Sequence, residues 1–176
     1  MKVEFEFNTR DFNKYRVDQP YPEVAVERPN RRWAAIVSGG YAGKGSEMTG
    51  ITQYFSHRFF LDGYPEIRTA YTYIMAVESI HLDLLGNLVK NLGAKPKFLS
   101  YETNTYWNGS FPAYRYTPLQ IFLADLEGER DAIAHYKRMI ALIPNEGMRA
   151  LFRRIIQDEE RHVEILEEFI ARFKAV

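Results

Sequence analysis

Two copies of one helical pattern constrain the fold of this chain more than any other feature. The first copy reads "EMTGITQY" over 47–54 and "ESIH" over 78–81, and the second reads "ERDAIAHY" over 129–136 and "EERH" over 159–162. The leading glutamates of the two motifs lie 31 residues apart in the first copy and 30 in the second. This repeat predicts two helical hairpins that fold together about a pseudo-twofold axis.

Four long helices, A to D, follow from proline, glycine and capping signals. Gly63 and Pro65 separate helix A from helix B, and Pro144 and Asn145 separate helix C from helix D. These short links predict antiparallel neighbours, whereas about two dozen residues join B to C and predict a long crossover. The predicted helices span 30–62, 65–92, 117–143 and 145–174.

The predicted fold class is all-α, an antiparallel four-helix bundle with one long B–C crossover and an extended N-terminal arm. The arm comprises residues 1–29, where the alternation "VEFEF" and a later proline-rich stretch favour extended chain with one short strand. The bundle comprises residues 30–176. Six aromatic residues of the crossover are predicted to pack against the bundle or a second subunit: Tyr101, Tyr106, Trp107, Phe111, Tyr114 and Tyr116.

Polar residues interrupt the apolar stripe of every predicted helix. Residues three, four and seven positions apart share one helix face, so these polar side chains should point toward the bundle core. They are Glu47 on helix A, Glu78 and His81 on helix B, Glu129 on helix C, and Glu159 and His162 on helix D.

Four carboxylates that face one core need compensation, because an ionised carboxylate is costly to bury unless it is paired. Two divalent cations would balance the four negative charges while the imidazoles stay neutral. One Glu-x-x-His motif alone is more often a salt bridge or a core histidine, and its repetition is what favours a dinuclear metal site. Carboxylate and imidazole ligands accept Fe²⁺ and Mn²⁺ alike, so the predicted cofactor is two divalent ions of either metal.

The six-residue pattern resembles the ferritin-like superfamily of dinuclear carboxylate proteins, over roughly residues 30–174. That group includes rubrerythrins, bacterioferritins, ferritins and manganese catalases. The resemblance implies that Glu47 and Glu129 are mostly terminal ligands and that Glu78 and Glu159 bridge the metals. It further implies that His81 and His162 complete one metal each, that Tyr54 and Tyr136 lie just behind the ligands, and that Asp158 fixes a histidine tautomer.

The segment "SGGYAGKGSE" at residues 38–47 looks at first like a phosphate-binding loop. Its spacing fails the P-loop pattern, because Gly39 and Gly43 enclose three residues and Lys44 is followed by Gly45. We therefore predict no nucleotide site and interpret the segment as the first part of helix A, which carries Glu47. Glycine destabilises a helix interior by about 1 kcal/mol, so either a close helix approach or a kink must explain the cluster.

Other features exclude several classes of function. The absence of cysteine excludes disulfides, thiolate metal sites and a rubredoxin-like electron-transfer module. A net charge of zero argues against nucleic-acid binding, and no signal peptide or stretch of roughly 20 apolar residues is visible. A cytoplasmic protein without membrane contact is expected. His57 and His135 lie off the glutamate stripes and are predicted to be partly exposed, with a supporting role behind the metal ligands as the alternative.

The resemblance implies a dinuclear-metal oxidoreductase that acts on hydrogen peroxide or dioxygen. Manganese would imply catalase activity, and iron would imply a peroxidase with an external electron donor, or a ferroxidase. Two alternatives stay open, a ferritin-like iron-storage protein and a metal-stabilised coat-type protein without turnover. The arm and the aromatic crossover favour a homodimer over a storage cage.

Overall fold

The computed structural model describes residues 9–174, and four long helical segments form a bundle, as predicted. Helices α2 and α3 together take the place of predicted helix A, and α4, α5 and α6 correspond to helices B, C and D. The elements are α1 (Thr9–Phe12), α2 (Arg31–Ala42), α3 (Glu47–His57), a 3₁₀ turn (Arg58–Phe60), α4 (Pro65–Asn91), β1 (Leu99–Ser100), β2 (Thr105–Tyr106), α5 (Pro118–Leu142) and α6 (Glu146–Lys174).

Two apolar clusters fill the bundle, one on each side of its middle. Both hairpins contribute to each cluster: α5 packs along α6, and α4 packs against α2 and α3. One cluster contains Val37, Leu85 and Phe152, and the other contains Tyr71 and Phe122. Along α4, α5 and α6 the predicted metal ligands fall between the two clusters, so dry packing encloses the polar middle from both ends.

Predicted helix A is not continuous, so the prediction of one helix over 30–62 was wrong. Helix α2 ends at Gly43, whose backbone is extended at φ −80° and ψ −172°, and α3 begins after Ser46. The Ser46 hydroxyl accepts a hydrogen bond from the amide of Thr49 at 3.4 Å and so caps the new helix. The break places Glu47 in the first turn of α3, where the helix dipole favours a carboxylate.

The two explanations for the glycine cluster apply to different glycines. Gly43 lies at the break itself. Gly39 and Gly40 lie inside α2, where a Cβ on Gly40 would stand 2.5 Å from Cε of Met139. The absence of side chains at Gly39 and Gly40 therefore lets α5 approach α2 closely.

The described part of the N-terminal arm, residues 9–29, is mostly irregular, and residues 14–19 contact α6. Arg154 on α6 donates from Nε to the carbonyl of Gln19 at 3.0 Å, and Arg161 donates from Nε to the carbonyl of Lys14 at 3.0 Å. The arm ends where Asn30 caps α2 by accepting from the amide of Trp33 at 3.0 Å. The short strand expected at "VEFEF" falls outside the described residues.

The crossover contains a small antiparallel hairpin that the sequence did not predict, in which Leu99 of β1 pairs with Tyr106 of β2. Trp107 is partly buried and donates to the hydroxyl of Thr49 at 3.0 Å, whereas Tyr114 and Tyr116 are exposed. Packing on the bundle therefore holds for only part of the crossover, and packing of the exposed aromatic residues against a second subunit stays a prediction. Within residues 9–174, no helix combines the length and the apolar character needed to cross a bilayer.

Candidate metal centre

The structure brings all six predicted ligand residues together at the middle of the bundle. Each is at most 5% exposed. They form two overlapping groups, within each of which the candidate ligand atoms all lie within 4.8 Å of one another. One group is Glu47, Glu78, His81 and Glu159, and the other is Glu78, Glu129, Glu159 and His162.

Each histidine presents its Nδ1 atom to the glutamates. Nδ1 of His81 lies 3.2 Å from Glu159 and 3.5 Å from Glu78. Nδ1 of His162 lies 2.9 Å from Glu78 and 3.1 Å from Glu159. The Glu-x-x-His spacing produces this arrangement, because residues three apart on a helix occupy one face. Glu78 and Glu159 thus lie between the two histidines.

The donor atoms of this cluster are placed better for binding metal ions than for hydrogen bonding to one another. Oε1 of Glu78, Nδ1 of His81 and Oε1 of Glu159 are buried and have no aligned hydrogen-bond partner among residues 9–174. They lie within ion-pair distance of their neighbours but lack hydrogen-bond geometry. Buried polar atoms are rarely left this way in native proteins, and bound ions are one explanation. Oxygen and imidazole nitrogen are the donors that Fe²⁺ and Mn²⁺ accept.

The four glutamates divide into two electrostatic classes. Burial, and then the charge of Glu78, raise the pKa of Glu47 to about 8 and hold the pKa of Glu129 well above its ordinary value. Burial also acts to raise the pKa of Glu78 and Glu159. Interactions with the histidines nevertheless lower both below the ordinary value, and for Glu78 a hydrogen bond with Glu47 contributes as well.

Both histidines favour the charged form when no metal is bound. Burial lowers the pKa of His81 and His162, but the surrounding carboxylates outweigh burial and raise the pKa of each well above its ordinary value. Two imidazolium groups then balance the ionised Glu78 and Glu159, while Glu47 keeps its proton. The cluster can therefore reach neutrality with protons alone, and divalent ions would take their place.

Tyr54 and Tyr136 each donate a hydrogen bond to a glutamate in the other half of the repeat. The hydroxyl of Tyr54, on α3, donates to Oε1 of Glu129 on α5. The hydroxyl of Tyr136, on α5, donates to Oε1 of Glu47 on α3. Burial and these carboxylates raise the pKa of both phenols well above the ordinary value, so both remain protonated donors.

Asp158 lies behind His81, on the side away from the glutamates. Its Oδ2 atom lies 3.1 Å from Nε2 of His81 and accepts from the Tyr21 hydroxyl at 2.6 Å. Burial acts to raise the pKa of Asp158, but His81, Tyr21 and Arg154 together hold it well below the ordinary value. The carboxylate is therefore ionised beside the imidazole. Its role in fixing the His81 tautomer remains a prediction that this contact supports.

A second buried polar network lies beside the cluster, and the sequence analysis missed it. Asp125 accepts from Nε2 of Gln53 at 2.8 Å and from the Tyr71 hydroxyl at 2.6 Å, and it lies 2.9 Å from Nδ1 of His57. A signal was available, because Asp125 is one helical turn before Glu129 on the same face. The prediction that His57 is partly exposed was wrong, since its side chain is buried against Asp125 and the carbonyl of Ala113.

A cavity of about 370 Å³ between α3 and α5 reaches the glutamates. Its inner wall includes Glu47, Glu78 and Glu129, and its lining also includes Gly50 and Gly128. The glycines leave room for a small molecule beside the carboxylates. His135, partly buried as expected, lines a neighbouring cavity of about 430 Å³ near Gly39 and does not join the cluster.

Comparison with known proteins agrees with this architecture. The ferritin-like domain family matches residues 45–176. A manganese catalase from Anabaena is 19% identical with a TM-score of 0.81, over 89% of this chain and 79% of that chain. A Rhodobacter capsulatus bacterioferritin is 20% identical with a TM-score of 0.71, over 84% and 89%.

A dodecameric bacterioferritin-related protein from Bacteroides fragilis is 15% identical with a TM-score of 0.67, over 82% of this chain and 89% of that chain. Identities this low show a shared fold and nothing finer. No curated protein matches this chain at the level of sequence.

Proposed function

The chain belongs to the ferritin-like domain family, and we propose that it is a dinuclear-metal oxidoreductase that acts on hydrogen peroxide or dioxygen. The observation that carries this proposal is the pair of overlapping ligand groups at the middle of the bundle. Because Glu78 and Glu159 belong to both groups, two ions held there would share two carboxylates. Such sharing keeps two metals close enough to act on one small substrate.

In this proposal each metal has one carboxylate and one histidine of its own. Glu47 and His81 would hold one ion, Glu129 and His162 would hold the other, and Glu78 and Glu159 would bridge them. When bound, two redox-active ions of iron or manganese would supply one electron each to the O–O bond of the substrate.

The protein's own groups would orient the ligands and hold protons. Tyr54 and Tyr136 donate to the outer glutamates and so fix which carboxylate oxygens remain free. Because the pKa of both phenols is raised well above the ordinary value, these hydroxyls keep their protons and remain donors to Glu129 and Glu47. The apolar clusters on either side keep bulk water away, which strengthens these interactions.

The cavity gives a small substrate access to the carboxylates. Its volume of about 370 Å³ and its glycine-lined wall leave room for peroxide or dioxygen there. Peroxide disproportionation also needs no external reductant, because one peroxide supplies the two electrons and two protons that the second consumes. Such a self-contained reaction would not need the cysteine ligands of a rubredoxin-like module, and these 176 residues contain no cysteine.

A ferroxidase that oxidises Fe²⁺ with dioxygen is the second candidate. The likeness to bacterioferritin favours it, and the same six residues would bind iron as substrate. With iron and an external electron donor, the same centre would act as a peroxidase. A coat-type protein that binds metal only for stability would lose its fold on chelation and show no turnover.

Metal content and turnover, measured on one preparation, test the proposal. We expect about two iron or manganese ions per chain, oxygen release from peroxide if the ions are manganese, and Fe²⁺ oxidation or donor-dependent peroxide reduction if they are iron. Glu78→Ala and His162→Ala should both fall well below two ions per chain. Glu127→Ala, at an exposed position on the cavity rim, is the matched control and should keep both ions. Full occupancy in either ligand variant would contradict the ligand assignment.

We also propose that the chain forms a homo-oligomer, most simply a dimer. Large aromatic side chains are exposed on one stretch of surface, where Phe55 contacts Phe59 and Phe60 contacts Tyr116. Such surfaces are commonly covered by a partner. Light scattering should give a mass of about 41 kDa, twice the 20.6 kDa chain. A shell of about two dozen chains would instead favour iron storage.

A further inference from the structure

We infer that arm residues 14–21 are a positioning element of the metal centre, because they fix which ring nitrogen of His81 and His162 faces the four glutamates. The inference rests on the proposed function and adds residues to it. The family match begins at residue 45, so these contacts come from a part of the chain outside the matched domain.

The contact to His162 is made by the arm backbone. The carbonyl of Tyr15 lies 2.9 Å from Nε2 of His162. A carbonyl oxygen can only accept, so Nε2 must carry the hydrogen. The neutral imidazole then has its lone pair on Nδ1, which lies 2.9 Å from Glu78 and 3.1 Å from Glu159. The arm thereby selects the tautomer that a metal ion among the glutamates requires.

The contact to His81 is made through Asp158 and Tyr21. Nε2 of His81 faces Oδ2 of Asp158 at 3.1 Å and the Tyr21 hydroxyl at 3.3 Å. Asp158 also accepts from the amide of Val17 at 2.7 Å. Two arm groups therefore hold the carboxylate that in turn holds the histidine, and the Nδ1 atom of His81 again faces the glutamates.

Arg154 on α6 fastens this part of the arm. It donates from Nε to the carbonyl of Gln19 at 3.0 Å and from Nη2 to the carbonyl of Val17 at 2.5 Å. Its guanidinium also lies over the Tyr21 ring, 4.5 Å from the centroid, and 2.7 Å from Oδ1 of Asp158. The guanidinium of arginine has several N–H donors in a fixed fork, so Arg154 makes all these contacts at once. A lysine ammonium could not reproduce them.

The two histidines differ in a way that makes the inference testable. Nε2 of His162 donates its hydrogen to the neutral carbonyl of Tyr15. Nε2 of His81 instead donates to the carboxylate of Asp158, which also accepts from the Tyr21 hydroxyl. Loss of the Tyr21 hydroxyl should therefore lower the affinity for the ion held by Glu47 and His81. The affinity for the ion held by Glu129 and His162 should stay unchanged. A purely structural role for the arm would not distinguish the two ions.

The test compares Tyr21→Phe with Tyr15→Phe in the full-length chain. Tyr15→Phe is the matched control, because it removes a hydroxyl from the same arm but keeps the backbone carbonyl and the ring that stacks on Tyr73 at 5.1 Å. Mn²⁺ is titrated into metal-free protein against a competing chelator, which gives a dissociation constant for each ion. Melting temperatures of the metal-free forms are measured in parallel.

We expect Tyr21→Phe to raise the dissociation constant of one of the two Mn²⁺ ions about fivefold, as loss of one hydrogen bond predicts. Tyr15→Phe should leave both dissociation constants within about twofold of the wild-type values. Asp158→Asn should weaken the same ion about 10–100-fold, the usual effect of losing a partner of a ligating histidine. In Zn²⁺-loaded protein, ¹⁵N spectra should show the hydrogen on Nε2 of both histidines in the wild type.

The inference is overturned if Tyr21→Phe and Tyr15→Phe bind Mn²⁺ alike, or if Tyr21→Phe weakens both ions equally in parallel with a lower melting temperature. A wild-type chain that binds no Mn²⁺, Fe²⁺ or Zn²⁺ would instead refute the proposed function. If the wild type binds two ions and Tyr21→Phe has no selective effect, only the role of the arm is refuted and the proposed function stands.

Discussion

Loading two divalent ions should release about four protons per chain near pH 7. Without metal, Glu47 and Glu129 hold protons because burial raises their pKa, and both histidines are charged because the surrounding carboxylates raise theirs. As metal ligands, carboxylates must be ionised and imidazoles neutral. Each of these four residues therefore gives up one proton, while the other two glutamates are already ionised.

The number of released protons follows from the charge balance of the cluster. The metal-free cluster is neutral with two carboxylates and two imidazolium groups, and the loaded cluster is neutral with four carboxylates and two divalent ions. With a pKa of about 8, Glu47 is roughly nine-tenths protonated at pH 7, so the total stays close to four. Linkage then requires the combined two-metal affinity to rise by up to about four orders of magnitude per pH unit.

Calorimetric titration with Mn²⁺, in buffers of different ionisation enthalpy at pH 7, measures this release directly. Glu47→Gln should release one proton fewer at saturating metal, and Glu127→Gln, on the exposed cavity rim, should match the wild type. Release of one proton or fewer per two ions would refute the reasoning, because it would mean that the buried carboxylates are already ionised before metal binds.

Three further predictions concern the stability of the metal-free protein. Gly40→Val should lower the free energy of unfolding in urea by about 1–3 kcal/mol, because a Cβ there meets Met139, and Gly45→Ala, where no described atom lies within 4 Å, should change it little. Stability should fall as pH rises from about 4.5 to about 8, since folded Glu47 keeps a proton that the unfolded chain has lost, and a rising urea midpoint would contradict this. Tyr136→Phe should destabilise by about 1 kcal/mol, measured by urea unfolding, and metal analysis should still find two ions, whereas an unchanged stability would mean that its buried hydrogen bond contributes nothing.

The sequence predicted the bundle because helix periodicity and link lengths are local signals. The spacing of Glu78 and His81, repeated at Glu159 and His162, was enough to place these side chains on inward faces. The crossed pairing of Tyr54 with Glu129 was beyond such reasoning. It depends on how far α3 slides along α5, which is a property of tertiary packing.

The errors have physical causes as well. His57 does lie off the Glu47 stripe of α3, but α3 ends against the crossover, whose Ala113 carbonyl covers the histidine. The contact between Tyr15 and His162 had no sequence signature, since every residue has a carbonyl. Contacts made by backbone atoms are visible only once the fold brings distant segments together.

The crossed tyrosines also bear on the order in which the protein matures. The first hairpin carries Glu47, Glu78 and His81, and the second carries the other three ligand residues. Each hairpin also holds the phenol that the opposite hairpin needs. A nascent chain with only the first hairpin folded therefore lacks three of the six proposed ligand residues and the Tyr136 hydroxyl that supports Glu47. Under the proposed function, capture of the two ions becomes a late event in biogenesis, because each ligand group needs residues of both hairpins.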